Sequence, residues 1–450
     1  MRLPRTRAVV VGVTAVAAVG LAPAPAAARP AVDPAVPPAA GSDDINGDGH
    51  RDYVQYADWL PGVGYAGGVR ITYGTASGPG TVTQDVHQET PGIPGQHLGG
   101  DDMFGSRLAV GDFNGDGYGD IVAGSLGAET APTLTGTLVI LWGSASGVSG
   151  GTALPHGELP PGGPHYGEEL ATGDFDGDGH PDIAAATGDG VRILHGPFTP
   201  AGGTGPVTRE SRADFFTHSL VAGDLTGDGT AELVVIGAQF GGNPGATDAW
   251  LPGGATLRLD PSTAATGEAV GVVADFDQDG YGDVAFGVPT DDNFTGALVV
   301  WPGGPSGPGT PARLTQPGTP DYEERFGHSV SAGDVNGDGF PELAVGSPGE
   351  WVDNQMYAGG VTVLSGGPGG LTAAGAQWLD RETPGVPEDA QFFGEFGRDV
   401  RLRDSDGDGH ADLFAEGGQP ALLLPGGLSG IDPAAGATQL PGSGFVAFPQ

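Results

Sequence analysis

The chain of 450 residues contains no cysteine and no lysine. Without cysteine, disulfides, thiol nucleophiles, iron–sulfur clusters and zinc ribbons are excluded. The 17 basic residues are all arginine and face 56 acidic residues, which gives a formal net charge of −39. A surface so poor in cations excludes nucleic acid and anionic lipid as partners bound by charge attraction.

The chain also lacks the composition of a helical protein. The chain contains 87 glycines and 40 prolines, and charged residues make up only 16%. Glycine and proline are the least favourable residues inside a helix. If these glycines and prolines were scattered without any regular pattern, their high combined content would indicate a disordered chain. Order is present as a long repeat, so the composition favours an all-β protein.

The first residues have the pattern of an export signal. Arg2, Arg5 and Arg7 precede an apolar run of 14 residues at 8–21, and small residues follow at 26–28. These are the three parts of a secretory signal peptide, and the run is short for a membrane span, which needs ~20 residues. We expect a signal peptide at 1–28 that is cleaved near Ala28, a flexible leader at 29–41, secretion, and no membrane insertion.

One acidic pattern of nine residues, Asp-x-[Asp/Asn]-x-Asp-Gly-x-x-[Asp/Glu], recurs seven times at intervals of 50 to 70 residues. The copies lie at 44–52, 112–120, 174–182, 224–232, 275–283, 334–342 and 404–412. All of them fit the pattern except at one position, where the fourth copy has Thr226 instead of Asp or Asn. Short runs of Val, Leu and Ile bounded by Gly or Pro flank the copies, which is typical of strands. Such units bury their faces by stacking around an axis. The repeat predicts an all-β fold, a seven-bladed β-propeller over 42–450 with four antiparallel strands per blade.

The spacing of oxygen-bearing residues in each copy fits a calcium loop. Ca²⁺ takes six to eight oxygen ligands, and side chains at positions 1, 3, 5 and 9 with the carbonyl of position 7 supply them. An EF-hand would need an acid at position 12, and none of the seven copies has one. Acidic turns without metal remain the alternative. The candidate ligands, for up to seven Ca²⁺ ions, are Asp44, Asn46, Asp48, His50, Asp52, Asp112, Asn114, Asp116, Tyr118, Asp120, Asp174, Asp176, Asp178, His180, Asp182, Asp224, Thr226, Asp228, Thr230, Glu232, Asp275, Asp277, Asp279, Tyr281, Asp283, Asp334, Asn336, Asp338, Phe340, Glu342, Asp404, Asp406, Asp408, His410 and Asp412.

The copies are not equivalent as binding sites. Because Thr226 replaces an Asp or Asn, we expect the fourth loop to bind most weakly. Gln278 replaces a glycine in the fifth loop, which costs backbone freedom. The third and seventh loops have four acids and both glycines. We expect those two loops to bind best.

These residues resemble the FG-GAP repeat of the integrin α-chain head, in a secreted bacterial form. Phe104-Gly105, Phe326-Gly327 and Phe396-Gly397 match its FG pair, and Gly346-Ser347-Pro348 and Gly287-Val288-Pro289 approximate its GAP. The resemblance implies a seven-bladed propeller with calcium in the loops between strands 1 and 2.

Two copies depart from that pattern. The fifth has Gly267 where the other copies from the second onward have an aromatic residue, and the first has no FG strand upstream of Asp44. An apolar run at 443–448 follows the last copy. We expect it to supply the strand missing from the first blade.

Long loops with aromatic residues are expected on the face opposite the acidic loops. They lie at 58–67 with Trp59 and Tyr65, at 239–250, and at 349–359 with Trp351 and Tyr357. Such residues are either binding anchors or local caps.

The sequence therefore favours a non-catalytic recognition, adhesion or scaffold module. Its expected partner is an extracellular protein or glycan, and a monomer is expected. No motif of a serine hydrolase, zinc protease or P-loop is present, and no catalytic residue is nominated. An extracellular enzyme, such as a carbohydrate lyase or a phospholipase-like protein, and a lectin remain the alternatives.

Overall fold

The structure is a computed structural model. It describes residues 43–440 except 61–63, 66, 96–102, 126–128, 132, 135, 156–165, 189, 212–214, 240–246, 251–255, 259–269, 319–322 and 419. The expected signal peptide, the leader and the run at 443–448 lie outside the described residues, as do Gly267 and most of the loop at 239–250.

The strands form consecutive antiparallel sheets in chain order. Sheet one contains β1 (Tyr53–Ala57), β2 (Gly68–Thr75) and β3 (Gly78–Val86). Sheet two contains β4 (Phe104–Gly111), β5 (Asp120–Ser125), β8 (Thr137–Trp142) and β9 (Gly150–Ala153), with β6 (Glu129–Ala131) and β7 (Thr133–Leu134) as a separate hairpin. Sheet three contains β10 (Leu170–Gly173), β11 (Asp182–Thr187), β12 (Gly190–Leu194) and β13 (Val207–Ser211).

The remaining four sheets repeat this order. Sheet four contains β14 (Phe215–Gly223), β15 (Glu232–Gln239), β16 (Thr247–Trp250) and β17 (Thr256–Arg258), and sheet five contains β18 (Val270–Ala274), β19 (Asp283–Val288), β20 (Ala297–Trp301) and β21 (Ala312–Leu314). Sheet six contains β22 (Ser329–Gly333), β23 (Glu342–Ser347), β24 (Gly360–Ser365) and β25 (Thr372–Leu379). Sheet seven contains β26 (Asp399–Arg403), β27 (Asp412–Glu416), β28 (Leu422–Leu424) and β29 (Thr438–Gln439). A helical turn, α1 (Asp291–Phe294), and a 3₁₀ turn at Pro433–Ala435 complete the described elements.

The all-β propeller with antiparallel strands is confirmed. Within the described residues it has six four-stranded blades rather than the expected seven, and sheet one has three strands. The first acidic loop begins at Asp44, and β1 follows it directly. Among the described residues, none supplies an inner strand before that loop.

Burial changes systematically from the inside of each blade to its outer edge. Strands β5, β11, β19 and β23 are buried along their whole length, whereas the outer strands β13 and β25 alternate or are largely exposed. A strand that is covered on both faces reads as a continuous apolar run. This explains why the second strand of each unit is rich in Val, Ile, Leu and Ala.

The sheets are joined by a cycle of apolar clusters. Each of six clusters spans one pair of consecutive sheets, from sheets one and two to sheets six and seven. A seventh cluster packs Tyr53 of sheet one against Phe414 and Leu423 of sheet seven. The Arg403 guanidinium also lies 2.6 Å from the Asp43 carboxylate and donates to the Asp52 carbonyl. The ring is therefore closed between its last sheet and its first.

Neighbouring blades also meet through a close backbone contact. Gly359 has φ +82° and bridges to Phe396 of the next blade, and a Cβ atom there would collide with the Phe396 backbone nitrogen and oxygen. Gly296 makes the same bridge to Phe326. The buried aromatic of the FG pair is therefore a fixed point between blades.

Candidate functional site

All seven acidic loops lie at one end of the ring, which we call the acidic rim. In six sheets the loop joins the first strand to the second, and the loop at 44–52 leads directly into β1. A strand follows every copy, so the loops are not EF-hands.

Successive acidic loops are hydrogen-bonded to each other. The backbone N–H at position 8 of one loop donates to the carbonyl of position 1 in the preceding loop. These bonds run from Gly119 to Asp44 (2.8 Å), from Ala231 to Asp174 (2.8 Å), from Gly282 to Asp224 (2.7 Å) and from Ala411 to Asp334 (2.7 Å). Position 8 is Pro181 in the third loop and Pro341 in the sixth, and proline has no N–H to donate.

Inside each loop the carboxylate at position 1 organises the backbone. In the third loop, Asp174 Oδ1 accepts from the N–H groups of Gly177 (2.7 Å) and Asp178 (3.1 Å), and Oδ2 accepts from Gly179 (2.8 Å). Gly177 and Gly179 have φ of +74° and +88°. Gln278, which replaces the first of these glycines in the fifth loop, has φ +55°. Gln278 thus adopts the left-handed conformation that the glycines have in the other loops, and the expected cost in backbone freedom stays a prediction.

Three loops bring three carboxylates together. One oxygen from each of positions 1, 3 and 5 lies within 4.8 Å of the others in the third, fifth and seventh loops, at 174/176/178, 275/277/279 and 404/406/408. The donors are all hard oxygens, and carboxylates this close repel one another until a cation lies between them. The donor set therefore fits a divalent cation such as Ca²⁺.

The other four loops place a neutral donor at position 3. The Asn46 amide donates to Asp48 (3.0 Å), the Asn114 amide to Asp116 (3.0 Å), and the Asn336 amide to Glu342 (2.9 Å). The Thr226 hydroxyl donates to Glu232 (3.2 Å). These contacts satisfy part of the carboxylate charge without a metal.

Position 9 has a role that the sequence reasoning missed. Asp120 is buried, and its Oδ2 accepts from the Phe113 N–H (3.1 Å) while Oδ1 accepts from the Gly143 N–H (2.8 Å). Burial raises the pKa of Asp120 to about 7. Because Gly143 follows β8, this carboxylate joins the acidic loop to the end of the third strand. Asp52, Asp283 and Asp412 are bonded in the same way.

The side chains at position 7 lie against the preceding loop. The Tyr118 ring lies over Gly47, and the Tyr281 ring lies over Gly227. His410 Nδ1 lies 3.1 Å from the Val335 carbonyl. The backbone N–H of the same position donates to the position 5 carboxylate, as from His180 to Asp178 (2.9 Å). These rings connect one loop to the next, which the repeat pattern alone did not indicate.

The opposite end of the ring, which we call the loop face, carries exposed aromatic side chains. Trp59 is 50% exposed, Trp351 is 59% exposed, and Phe392 is 60% exposed. Tyr357 packs on Phe393 with ring centroids 5.0 Å apart, and Phe393 packs on Phe392 at 4.5 Å. Trp59 and Trp351 are therefore not buried caps. Trp378, Phe392 and Phe393 were not singled out from the sequence.

The loop face also concentrates unusual backbone geometry. Of the thirteen non-glycine residues with positive φ in the described part of the chain, Gln278 lies on the acidic rim. The other twelve lie on the loop face: Met103, Asp292, Asn293, Phe294, Glu323, Arg325, Asp353, Asn354, Tyr357, Glu388, Phe393 and Glu395. Such residues cost free energy and cluster at functional sites.

A cleft of about 420 Å³ lies on the loop face at sheet six. The side chains of Trp351 and Trp378 line it, together with the acids Glu350, Asp353 and Asp380. The Trp378 indole N–H donates to Asp380 Oδ2 (2.9 Å), which fixes the ring. The cleft offers two aromatic faces bordered by acceptor groups.

Comparisons with known proteins agree with the repeat. Residues 104–137 and 326–364 match the FG-GAP repeat, and residues 174–235 match the FG-GAP-like repeat. No helix in the described part of the chain has the length and apolarity that a membrane crossing needs.

Several curated relatives share part of the chain. It is 30% identical over 214 residues to integrin alpha-PS2 of Drosophila melanogaster, a match that covers 41% of this chain and 15% of that protein. It is 31% identical over 156 residues to human integrin alpha-10, covering 31% of this chain and 13% of that one. It is 32% identical over 181 residues to phosphatidylinositol-glycan-specific phospholipase D of Rattus norvegicus, covering 39% and 20%. The chain thus spans a fifth or less of these three relatives.

Among solved structures, virginiamycin B lyase from Staphylococcus aureus aligns with a TM-score of 0.41 and 12% identity, covering 82% of this chain and 96% of that one. A likeness of this size carries no argument about fold or function.

Proposed function

We propose that this chain is a secreted, calcium-stabilised recognition module. The acidic rim holds up to seven Ca²⁺ ions through the side chains at positions 1, 3, 5 and 9 and the carbonyl at position 7. The third and seventh loops bind most tightly, and the fourth binds most weakly. A cleaved signal peptide at 1–28 and a flexible leader at 29–41 belong to the same proposal.

The loop face binds an extracellular protein or glycan. The observation that carries this proposal is the aromatic cleft formed by Trp351 and Trp378 beside loops in strained conformations. Exposed tryptophans on rigid scaffolds are common anchors of binding, because they bury a large area at little cost in conformational entropy. The similarity to integrin α chains supports a binding role rather than a particular partner.

The test is a binding screen on a glycan array and a panel of extracellular proteins, with Ca²⁺ and with chelator. Trp351→Ala and Trp378→Ala should each lower the affinity for a captured partner at least about 10-fold and leave the melting temperature unchanged. Trp59→Ala, an exposed tryptophan of sheet one, is the matched control. Equal effects of all three substitutions would contradict a site at this cleft.

A phospholipase-like enzyme is the second candidate, favoured by the match to phosphatidylinositol-glycan-specific phospholipase D. Incubation of the Ca²⁺-loaded protein with vesicles that contain phosphatidylinositol glycans tests it. Turnover that is lost with chelator and is proportional to protein concentration would replace the recognition proposal. Bound vesicles without product would retain it.

We also propose that sheet one is the seventh blade, completed by residues 443–448. Leu440, the last described residue, is buried in the cluster that contains Tyr53 of sheet one, which brings the chain to this sheet. Deletion of residues 441–450 should lower the melting temperature by several degrees. An unchanged melt would contradict this closure.

A further inference from the structure

One histidine lies beside the third acidic loop. His195 follows β12, and its side chain is only 10% exposed. In the antiparallel pairing of β11 with β12, Ile183 lies opposite Leu194. The next residues along, Asp182 and His195, therefore lie opposite each other, and Asp182 is position 9 of the loop. A strand end and an acidic loop thus bring an imidazole into a cluster of carboxylates.

The distances place the histidine within ligand range of two carboxylates. His195 Nδ1 lies 3.0 Å from Asp182 Oδ2 and 3.4 Å from Asp176 Oδ2. One ligand atom from each of the three residues lies within 4.8 Å of the other two. Ligands bound to one tetrahedral Zn²⁺ at 2.0–2.1 Å are about 3.3 Å apart, so the separations measured at Nδ1 suit a common ion.

The ring of His195 is held in place by its other nitrogen. Nε2 lies 2.9 Å from the Thr208 hydroxyl of β13. A hydrogen bond at the far nitrogen orients a metal-binding histidine and fixes its tautomer. Asp182 is also fixed, because it accepts from the backbone N–H groups of Phe175 (2.9 Å) and Gly196 (2.8 Å). The site is therefore pre-organised by the fold.

The corresponding residues of the other described sheets differ. Sheets one and two have Tyr73 and Trp142, each of which donates to a side chain of its outer strand, as His195 pairs with Thr208. Sheets five, six and seven have Pro302, Ser365 and Pro425. None of these five offers an imidazole nitrogen. The hydrogen bond to the outer strand therefore recurs in sheets one, two and three. Within the described part of the chain, only sheet three has an imidazole nitrogen at this position.

We propose that Asp176, Asp182 and His195 form a binding site for a borderline divalent cation of the Zn²⁺ type. An imidazole with two carboxylates suits Zn²⁺, whereas Ca²⁺ takes oxygen ligands. Asp176 and Asp182 belong to both candidate sites, because they are positions 3 and 9 of the third loop and the Oδ2 atom of each faces His195. The site extends the proposed cation binding of the acidic rim and does not depend on Ca²⁺ in the other loops.

The test is calorimetric titration of Zn²⁺ into the full secreted chain saturated with Ca²⁺. The wild type should bind one high-affinity Zn²⁺. His195→Trp, which installs the residue of sheet two, and His195→Tyr, which installs that of sheet one, should lower the affinity at least 100-fold. His87→Ala is the matched control: this histidine follows β3, lies outside the acidic loops, and should leave Zn²⁺ binding like that of the wild type.

Two further measurements separate the outcomes. Circular dichroism and Ca²⁺ content show whether the His195 variants keep the fold and the acidic rim. With Co²⁺ as the probe, X-ray absorption should detect one imidazole ligand in the wild type and none in either variant. Unchanged Zn²⁺ affinity in the folded variants, or no stoichiometric Zn²⁺ in a Ca²⁺-loaded wild type, would overturn the inference. If the wild type bound Zn²⁺ but no Ca²⁺, only the proposed function would be contradicted.

Discussion

On the acidic rim the same hydrogen bonds recur from sheet to sheet, whereas on the loop face the connections differ in length and conformation. Position 1 accepts from its own loop. Position 8 donates to the previous loop in the second, fourth, fifth and seventh loops, and position 9 accepts from the end of the third strand in the first, second, third, fifth and seventh. Among the described residues, twelve non-glycine residues with positive φ lie on the loop face, and one lies on the acidic rim. The acidic rim is therefore a repeated framework, whereas the backbone of the loop face differs from blade to blade.

Of the changes considered, removal of divalent cations should have the largest effect, because it should destabilise the acidic rim and leave the loop face without a direct change. A site at 100 times its Kd contributes about 2.7 kcal/mol, so the three loops with clustered carboxylates contribute roughly 8 kcal/mol together. Chelation should therefore lower the melting temperature by roughly 10 °C, and added Ca²⁺ should restore it. Differential scanning calorimetry with and without chelator measures this. A melt that chelation does not move would contradict cation binding on the acidic rim.

Among single substitutions on the loop face, Gly359→Ala should lower the stability of the protein the most. A Cβ atom would collide with the Phe396 backbone, and φ +82° is unfavourable for alanine. We expect a loss of about 3 kcal/mol in the free energy of unfolding. Gly375 is the control, because it has φ +83° and open space around it. Urea denaturation of Gly375→Ala should show a loss of only about 1 kcal/mol; equal losses would mean that the blade contact does not matter.

Asp120→Ala tests the role of position 9 on the acidic rim. It removes the acceptor of two buried N–H groups, those of Phe113 and Gly143, and each unsatisfied group costs about 1–3 kcal/mol. We expect a loss of about 3 kcal/mol by urea denaturation in chelator. Asp116→Ala, at the exposed position 5 of the same loop, should change this value by less than about 1 kcal/mol. If the two variants were equally stable, position 9 would act only as a metal ligand.

The metal-free protein should be less stable at high pH. Burial raises the pKa of Asp120 and Glu342 to about 7, and of Asp52 and Asp283 to about 6. Unfolded carboxylates titrate near ~4, so between these values the folded state binds more protons. The contribution is fully present below about pH 4 and is lost as the pH rises through 6 to 7.

Urea denaturation in chelator at pH 5 and pH 8 measures this dependence. The protein should be more stable at pH 5, and Asp120→Asn should reduce the difference because it removes one titrating group. Stability that increases from pH 5 to pH 8 in chelator would contradict the raised pKa values.

The sequence predicted what depends on neighbouring residues and missed what depends on distant ones. The acidic loops follow from nine consecutive residues, and the strain at Gln278 follows from its place in that pattern. The second role of Asp52 depends on Gly74, which is 22 residues away. The aromatic packing of Phe392 and Phe393 lies in a connection without a repeated pattern, so no signal marked it.

The contact between successive acidic loops gives the smallest expected effect. Ala231→Pro removes the N–H that donates to the Asp174 carbonyl (2.8 Å). The third and sixth loops carry Pro181 and Pro341 at the same position, so the backbone there accommodates proline. The cost should therefore be that of one hydrogen bond, about 1 kcal/mol by urea denaturation in Ca²⁺. A loss several times larger would mean that the fourth loop differs in backbone from the third and sixth, and no loss would mean that the repeated bond between loops does not stabilise the rim.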